Sequence, residues 1–456
     1  MAKVILISTY ELGHQPFGLA SPAAWLKEAG AEVVCVDLAV ESLENDRVLQ
    51  VDLIAIYLPM HTATRLAAEL IPRLKQINSH AHLCCYGLYA PTNETYLRQL
   101  GVNTIIGGEF EKGLVDLYHQ LTSADQRNFK QDEAIVSLER QQFRVPDRTS
   151  LPGLEAYAHL LLPDGRIRTA GYTETSRGCK HTCRHCPIVP IYNGRFRIVQ
   201  YDIVMADIRQ QVESGAQHIT FGDPDFLNGP GHTMPIVEAL HAEFPDLTYD
   251  LTVKIEHLLK YDHLLPKLRD TGCVFLTSAV ESVNDEILTI LEKGHTRAGF
   301  EKATTRLREL GLVLNPTFVA FTPWTTPTGY LEMLKVIRDL DLVGYVAPVQ
   351  YAIRLLLPAG SRLLELSEVE KLVEPFDHSA LYYPWQHPSP VMDQLYRRVF
   401  RLVQENQMNQ ESRKSLFNNV WQATFEVTES VDSTISAERG WDMSIAPVPR
   451  MSESWY

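Results

Sequence analysis

Cys179, Cys183 and Cys186 lie within one run of eight residues, in a chain of 456 that has seven cysteines in all. Thiolates are soft ligands for iron and zinc. A [4Fe–4S] cluster usually takes four cysteines. Three on one tight loop would hold three irons and leave the fourth open to a substrate or cofactor. The segment reads Thr173-Glu174-Thr175-Ser176-Arg177-Gly178-Cys179-Lys180-His181-Thr182-Cys183-Arg184-His185-Cys186-Pro187. Gly178 gives the backbone room to turn, and Lys180 and Arg184 would offset thiolate charge. The same cysteines would also suit a zinc knuckle completed by His181 or His185, but no second, distant Cys/His pair is apparent. Cys273 reads as a buried strand residue. With Cys35, Cys84 and Cys85 dispersed and the total odd, a disulfide scaffold is excluded.

Two alternating patterns position this loop. Over residues 1 to about 120, apolar strand runs alternate with helical stretches: Val4–Ile7, Glu32–Val36, Leu53–Tyr57, His82–Tyr86 and Asn103–Ile106 are the strands. Strands separated by helices imply right-handed crossovers and a doubly wound parallel sheet. Ligands of such sheets sit beyond the carboxyl ends of the strands. The rim therefore comprises Thr9–Gly18, Leu58–Thr64, Gly87–Thr92 and Gly107–Phe110. Residues 122–168 lose the alternation and read as a linker, polar at Ser123–Arg127 and rich in Pro and Gly over Arg144–Gly153. Alternation resumes with strands at Ala170–Thr175, Gln217–Phe221, Thr248–Val253, Cys273–Ser278, Val313–Val319 and Tyr345–Leu356. Six βα units over 169–361 imply a partial barrel, with the cysteines just beyond its first strand, on the face where barrel sites lie. Residues 362–456 read as a mostly helical C-terminal region. The expected class is thus α/β: a doubly wound sheet over 1–121, a (β/α)6 partial TIM barrel, and helices.

A C-x3-C-x2-C loop after the first strand of a βα barrel resembles the radical S-adenosylmethionine (radical SAM) superfamily, and the N-terminal sheet resembles the cobalamin-binding domain of one of its branches. The resemblance spans residues 1 to about 360. It implies that Cys179, Cys183 and Cys186 hold the cluster and that SAM chelates the open iron. Gly222 and Asp223, within Phe221-Gly222-Asp223-Pro224-Asp225, resemble the motif that meets the SAM amino group. Lys254 stands where relatives often place a base for the SAM carboxylate. Glu281 and Ser282, in Ala279-Val280-Glu281-Ser282, resemble a Gly-x-Glu-Ser element that contacts SAM, and Lys293-Gly294-His295-Thr296 follows. Arg354 fits the end of the sixth strand. Strand five departs from the pattern, with Ala320 and Phe321 where relatives often carry glycine. Each isolated charge also has an ordinary reading as a helix cap, a solvated group or, for Arg354, the partner of a buried acid. No residue is assigned a catalytic role.

For cobalamin, the Asp-x-His-x-x-Gly loop that supplies a lower-ligand histidine is absent. His14 and His61 are the rim histidines, and Gly107-Gly108-Glu109 resembles an edge that holds the cofactor without one. The segments Leu6–Gly13 and Pro449–Tyr456 resemble a subgroup ending in Cys-(Cys or selenocysteine)-Ala-Glu-Pro. That tail is lacking here, as expected if a selenocysteine codon had been read as stop.

Composition bounds the remainder. Apolar residues are 45% and charged residues 21%, values of a globular chain with a core. A formal net charge of −14 argues against a general nucleic-acid surface. No apolar run is long enough for a membrane span, and the first residues lack a secretory signal. The expectation is a cytoplasmic enzyme that takes a small-molecule substrate and an external flavodoxin- or ferredoxin-type electron donor. With cobalamin bound its reaction would be radical methylation of an unactivated carbon; without it, hydrogen abstraction by a 5′-deoxyadenosyl radical. The alternatives are 3-amino-3-carboxypropyl transfer and a non-enzymatic zinc- or cluster-stabilised binding protein.

Overall fold

The computed structural model describes residues 2–123, 134–431 and 446–453. Part of the polar stretch Ser123–Arg127 and the closing Ser454–Tyr456 lie outside these. Val4-Ile5-Leu6-Ile7 is fully buried, as a strand covered on both faces must be. It forms the centre of β1 (Lys3–Ser8), followed by β2 (Glu32–Asp37), β3 (Leu53–Tyr57), β4 (His82–Tyr86), β5 (Thr104–Gly108) and β6 (Ile135–Ser137). The order is β2-β1-β3-β4-β5-β6 and every pairing is parallel. Separate apolar clusters cover the two faces. The chain reverses direction across the sheet between β1 and β3, the crevice where doubly wound folds bind ligands.

The second sheet runs β14-β13-β12-β11-β8-β7-β15. Its parallel part is β8 (Ile167–Thr173), β11 (His218–Phe221), β12 (Thr248–Thr252), β13 (Cys273–Glu281) and β14 (Val313–Phe318). Two short antiparallel strands, β7 (His159–Leu161) and β15 (Arg450–Met451), extend the β8 edge. The curled sheet packs on a large core that includes Phe221, Tyr249, Phe300 and Tyr330. The expected strand Tyr345–Leu356 is instead a 3-10 turn at Pro348–Ala352 and a single parallel bridge, Phe321 to Arg354. Pro348 has no N–H to donate to a ladder, so only the residues after the turn reach the sixth position. Helices Pro390–Asn409 and Arg413–Val431 dominate the C-terminal region.

Residues 122–168 are more than a spacer. They supply β6 to the first sheet and β7 to the second, and Arg148 staples the two. Its guanidinium meets both oxygens of Asp207 at 2.9 Å and donates to Gln15 Oε1 and the Tyr172 carbonyl, each at 2.7 Å. Arg148 and Asp207 are both nearly inaccessible to solvent. Removing one partner of such a pair leaves an uncompensated buried charge. Arg148→Leu should therefore lower the unfolding free energy by about 3–5 kcal/mol in a urea titration; a loss under about 1 kcal/mol would show that water replaces the guanidinium.

Candidate functional site

The two sheets present their carboxyl ends to a common cavity of about 900 Å³. From the first sheet, Leu12 and His14 after β1, Pro59 and Met60 after β3, and Leu88 after β4 reach it. From the second come inward-facing strand residues, among them Tyr172, Thr220, Asp250 and Thr277. Alternation along each strand turns these toward the lumen. The C-terminal residues Arg450–Glu453 also line it.

The cysteine loop leaves this junction. Strand β9 (Ser176–Gly178) pairs antiparallel with β10 (Phe196–Ile198), and Cys179 follows at once. Gly178 has φ +75, and a β-carbon there would collide with the Tyr192 ring and the Arg195 carbonyl. Only glycine permits this turn. All seven cysteines are free. Cys179 and Cys183 are buried, Cys186 partly so, and Cys186 N–H donates to Cys183 O at 3.1 Å. Burial raises the Cys179 thiol and pushes Cys186 up to about 12, so without metal these thiols stay protonated.

Lys180 and Arg184 were expected to balance the thiolates, but both are engaged elsewhere. Lys180 donates to the Asn228 carbonyl at 2.7 Å, and Arg184 pairs with Glu292 at 2.9 Å. The buried cation beside the sulfurs is Lys293. Burial opposes its charge, but the Glu281 carboxylate outweighs that and raises its pKa.

The other sequence-singled residues fall into three groups. Gly222 and Asp223 line the cavity. Gly222 lies so close to Tyr172 that a β-carbon would overlap its hydroxyl. Asp223 accepts from Thr175 N at 2.9 Å, Thr175 Oγ1 at 2.6 Å and Ser176 Oγ at 2.5 Å. Burial nonetheless lifts its pKa to about 6. Glu281, Ser282 and Lys254 lie around the cysteine loop instead. Glu281, at φ +67 on a bulge of β13, accepts from His185 at 3.0 Å and Lys293 at 3.3 Å. Ser282 Oγ accepts from Asn284 N at 3.1 Å. Lys254 pairs with Glu256 at 3.2 Å, and Glu256 approaches His181 at 3.6 Å. Arg354 stands apart from both groups. It pairs with Asp393 at 2.7 Å, donates to Trp385 O at 2.8 Å and lies 3.8 Å over the Trp385 ring.

Some site residues carried no assignment in the sequence. Asp225, fully buried, lies 2.7 Å from His257 Nδ1 and 3.5 Å from His181 Nε2. It belongs to the same motif as Asp223, and spacing alone could not tell which acid turns toward the cysteines. Arg177 is the other. Its guanidinium lies 2.6 Å from Glu174, 2.7 Å from Glu111 and 3.8 Å from Glu109, over the rings of Phe17, Phe110 and Phe143. The partners on the first sheet's rim are too distant in sequence for local spacing to show. Both rim histidines are engaged. His14 stacks on Tyr172 at 4.8 Å, and His61 Nε2 contacts Ala380 O at 2.6 Å.

Glu281 yields a pH test. Burial alone would raise its pKa, but Lys293 and His185 bring it down to about 2. A depressed folded-state pKa gives stability that is present above the unfolded value and lost as pH falls toward the folded one. Between pH 5 and pH 3 the wild type should lose about 2 kcal/mol more than Glu281→Gln in urea titrations; parallel losses would mean that the ion pairs do not hold in solution.

Comparison with known proteins adds the family. Residues 173–338 match the model described as the radical SAM superfamily. Among curated proteins, a tRNA-2-methylthio-N(6)-dimethylallyladenosine synthase of Thiobacillus denitrificans is 25% identical over 227 residues, covering 45% of this chain and 48% of that protein. The ribosomal protein uS12 methylthiotransferase RimO of Myxococcus xanthus is 26% identical over 177 residues, 36% of each chain. The chain thus spans less than half the length of these relatives. Among solved structures, the cobalamin-dependent S-adenosylmethionine radical enzyme OxsB with aqua-cobalamin bound superposes with a TM-score of 0.71 at 14% identity, over 94% of this chain and 73% of that one. The radical S-adenosylmethionine methyltransferase TsrM from Kitasatospora setae, with tryptophan and aza-SAM bound, gives 0.64 at 17% identity over 81% and 76%. These likenesses establish a shared fold, N-terminal sheet included. The family match adds a radical SAM superfamily domain over residues 173–338, which include the cysteine loop and most of the barrel.

Proposed function

We propose that the chain is a cobalamin-assisted radical SAM methyltransferase acting on a small molecule held in the shared cavity. One observation carries this reading: the loop with Cys179, Cys183 and Cys186 begins where the rim of the first sheet and the barrel lumen meet at one 900 Å³ space. The residues fit the implied groups. Three thiols converge in one loop with Lys293 against them, and the dispersed cysteines Cys35, Cys84, Cys85 and Cys273 are buried within strands. The rim at the β1–β3 crevice is apolar, through Leu12, Met60 and Leu88, and opens on a volume in the range of cofactor sites. When bound, the cluster supplies an electron from an external flavodoxin- or ferredoxin-type donor for C–S cleavage of SAM, and cobalamin supplies a methyl carrier.

The protein's own residues bind and orient. Cys179, Cys183 and Cys186 hold the cluster, and Lys293 balances their charge. Asp225 and Lys254 stand beside the loop, Asp225 next to His181 and Lys254 through Glu256, where they would be available to bound SAM. Gly222 leaves room for the Tyr172 hydroxyl at the cavity wall, and Asp223 fixes the backbone at Thr175 and Ser176, directly before the loop. Glu281 holds its far end through His185, and Ser282 supports the turn at Asn284 that follows Glu281. Arg354 is assigned a structural role, fixing the C-terminal segment through Asp393 and Trp385. No described helix is long and apolar enough to cross a membrane. Seven free thiols suit a reducing compartment, and we place the enzyme in the cytoplasm. A concave cavity of this volume suits a small molecule better than a nucleic acid.

A second reading has its own observation. Donor atoms of Cys179, His181 and Asp225 lie within 4.8 Å of one another, a set that would suit a single zinc ion. Anaerobic reconstitution separates the two. The first reading expects about four iron and four sulfide per chain, lost in each of Cys179→Ala, Cys183→Ala and Cys186→Ala and kept in Cys273→Ala. It also expects added cobalamin to co-elute at about one per chain and reduction with SAM to release 5′-deoxyadenosine or S-adenosylhomocysteine. About one zinc per chain without SAM turnover would decide for the second.

A further inference from the structure

Among the cavity-lining residues of the parallel strands β8 and β11 to β14, Asp250 is the charged one. It projects from β12 and is 6% exposed. One oxygen is held from below: Oδ1 accepts from His218 Nε2 at 2.8 Å and from Thr220 Oγ1 at 2.6 Å. His218 is fully buried and anchored in turn, its Nδ1 2.9 Å from Thr248 Oγ1. A carboxylate whose supporting groups are themselves fixed is preorganised, because little ordering remains to be done on binding. Oδ2 has no partner among the described residues and belongs to a side chain of the cavity wall.

The neighbours of Asp250 do not compensate it from above. His14, which reaches over Tyr172 from the first sheet, is driven by burial to a pKa of about 4 and is neutral. Thr252 on the same strand, Thr277 on β13, and Asn315 and Thr317 on β14 beyond it are all uncharged. Arg177 is already shared among three glutamates. The remaining cavity arginines, Arg413 and Arg450, belong to the C-terminal region, and Arg413 donates to the Gly344 carbonyl. A buried carboxylate with one free oxygen calls for a charged donor, since an ion pair gains most where water is excluded.

We propose that Asp250 anchors the substrate and that it takes a protonated amine, with the threonine and asparagine wall serving neutral polar groups of the same molecule. This rests on the cavity being the substrate chamber. It adds a substrate class: a small amine, held through its nitrogen at the floor of the lumen while the rest of the molecule extends toward the cysteine loop.

The probes are n-hexylamine and its uncharged isostere 1-hexanol, titrated calorimetrically into reconstituted full-length protein at neutral pH, with iron and sulfide measured on the same samples. The wild type should bind the amine roughly tenfold or more tighter than the alcohol. Asp250→Asn should abolish that preference, Asp250→Glu should keep part of it, and Thr220→Val should weaken it by loosening the carboxylate. Thermal melts of each variant check folding. Equal binding of the two probes by the wild type, no amine binding, or an undiminished preference in Asp250→Asn would overturn the assignment. A loaded cluster without amine preference defeats this inference alone; amine preference without a cluster defeats the cluster reading alone.

Discussion

Arg177 sits where three parts of the molecule meet: the rim of the first sheet through Glu109 and Glu111, the end of the first barrel strand through Glu174, and the start of the cysteine loop through its own backbone. One guanidinium cannot neutralise three carboxylates, and the protein resolves the excess locally. Burial pushes Glu109 up to about 7 even against the pull of Arg177, and the Tyr192 hydroxyl donates to it at 3.0 Å. Ser21 donates to Glu111 at 2.7 Å. Three phenyl rings exclude water around the cation, which strengthens every interaction inside. A buried pair of this kind adds little net stability over an apolar substitute. What it adds here is register: the loop that begins one residue later is held at a fixed height above the rim.

That register explains why two sheets with separate cores behave as one site. The first sheet has apolar clusters on both faces and the barrel has its own, so each folds around its own interior. Several contacts between them are polar and placed beside the cavity: Arg177 with the glutamates, Arg148 with Asp207 and Gln15, and the tail with Tyr10 Oη donating to Glu453 Oε1 at 3.5 Å. Polar joints fix orientation more sharply than apolar packing does, because they are satisfied in one geometry only. The cavity is then a product of the joint between the two units.

The sequence disclosed the two periodicities, the cysteine loop and the order of strands, because these are local patterns. Val4–Ile7 and the βα alternation needed no tertiary information. Long-range pairing was beyond it. Which acid of Asp223 and Asp225 faces the sulfurs depends on two serine and threonine hydroxyls that capture Asp223. Lys293 was visible as part of a motif but not as the cation against Cys183 and Cys186, a position that Lys180 and Arg184 seemed to hold on proximity in sequence. Pro348 gave the one local warning that the sixth strand would fail. The short strands inside 122–168 have only three residues each, too few for periodicity to register.

The β1–β3 rim proposed to hold cobalamin and the residues that lead into the cysteine loop, Ser176 to Gly178, line one chamber. Electron paramagnetic resonance of protein loaded with both cluster and cobalamin, each reduced to its paramagnetic state, tests this directly. Signals split or broadened by spin–spin coupling, relative to samples carrying either cofactor alone, are expected. A spectrum equal to the sum of the two separate ones would contradict the shared chamber.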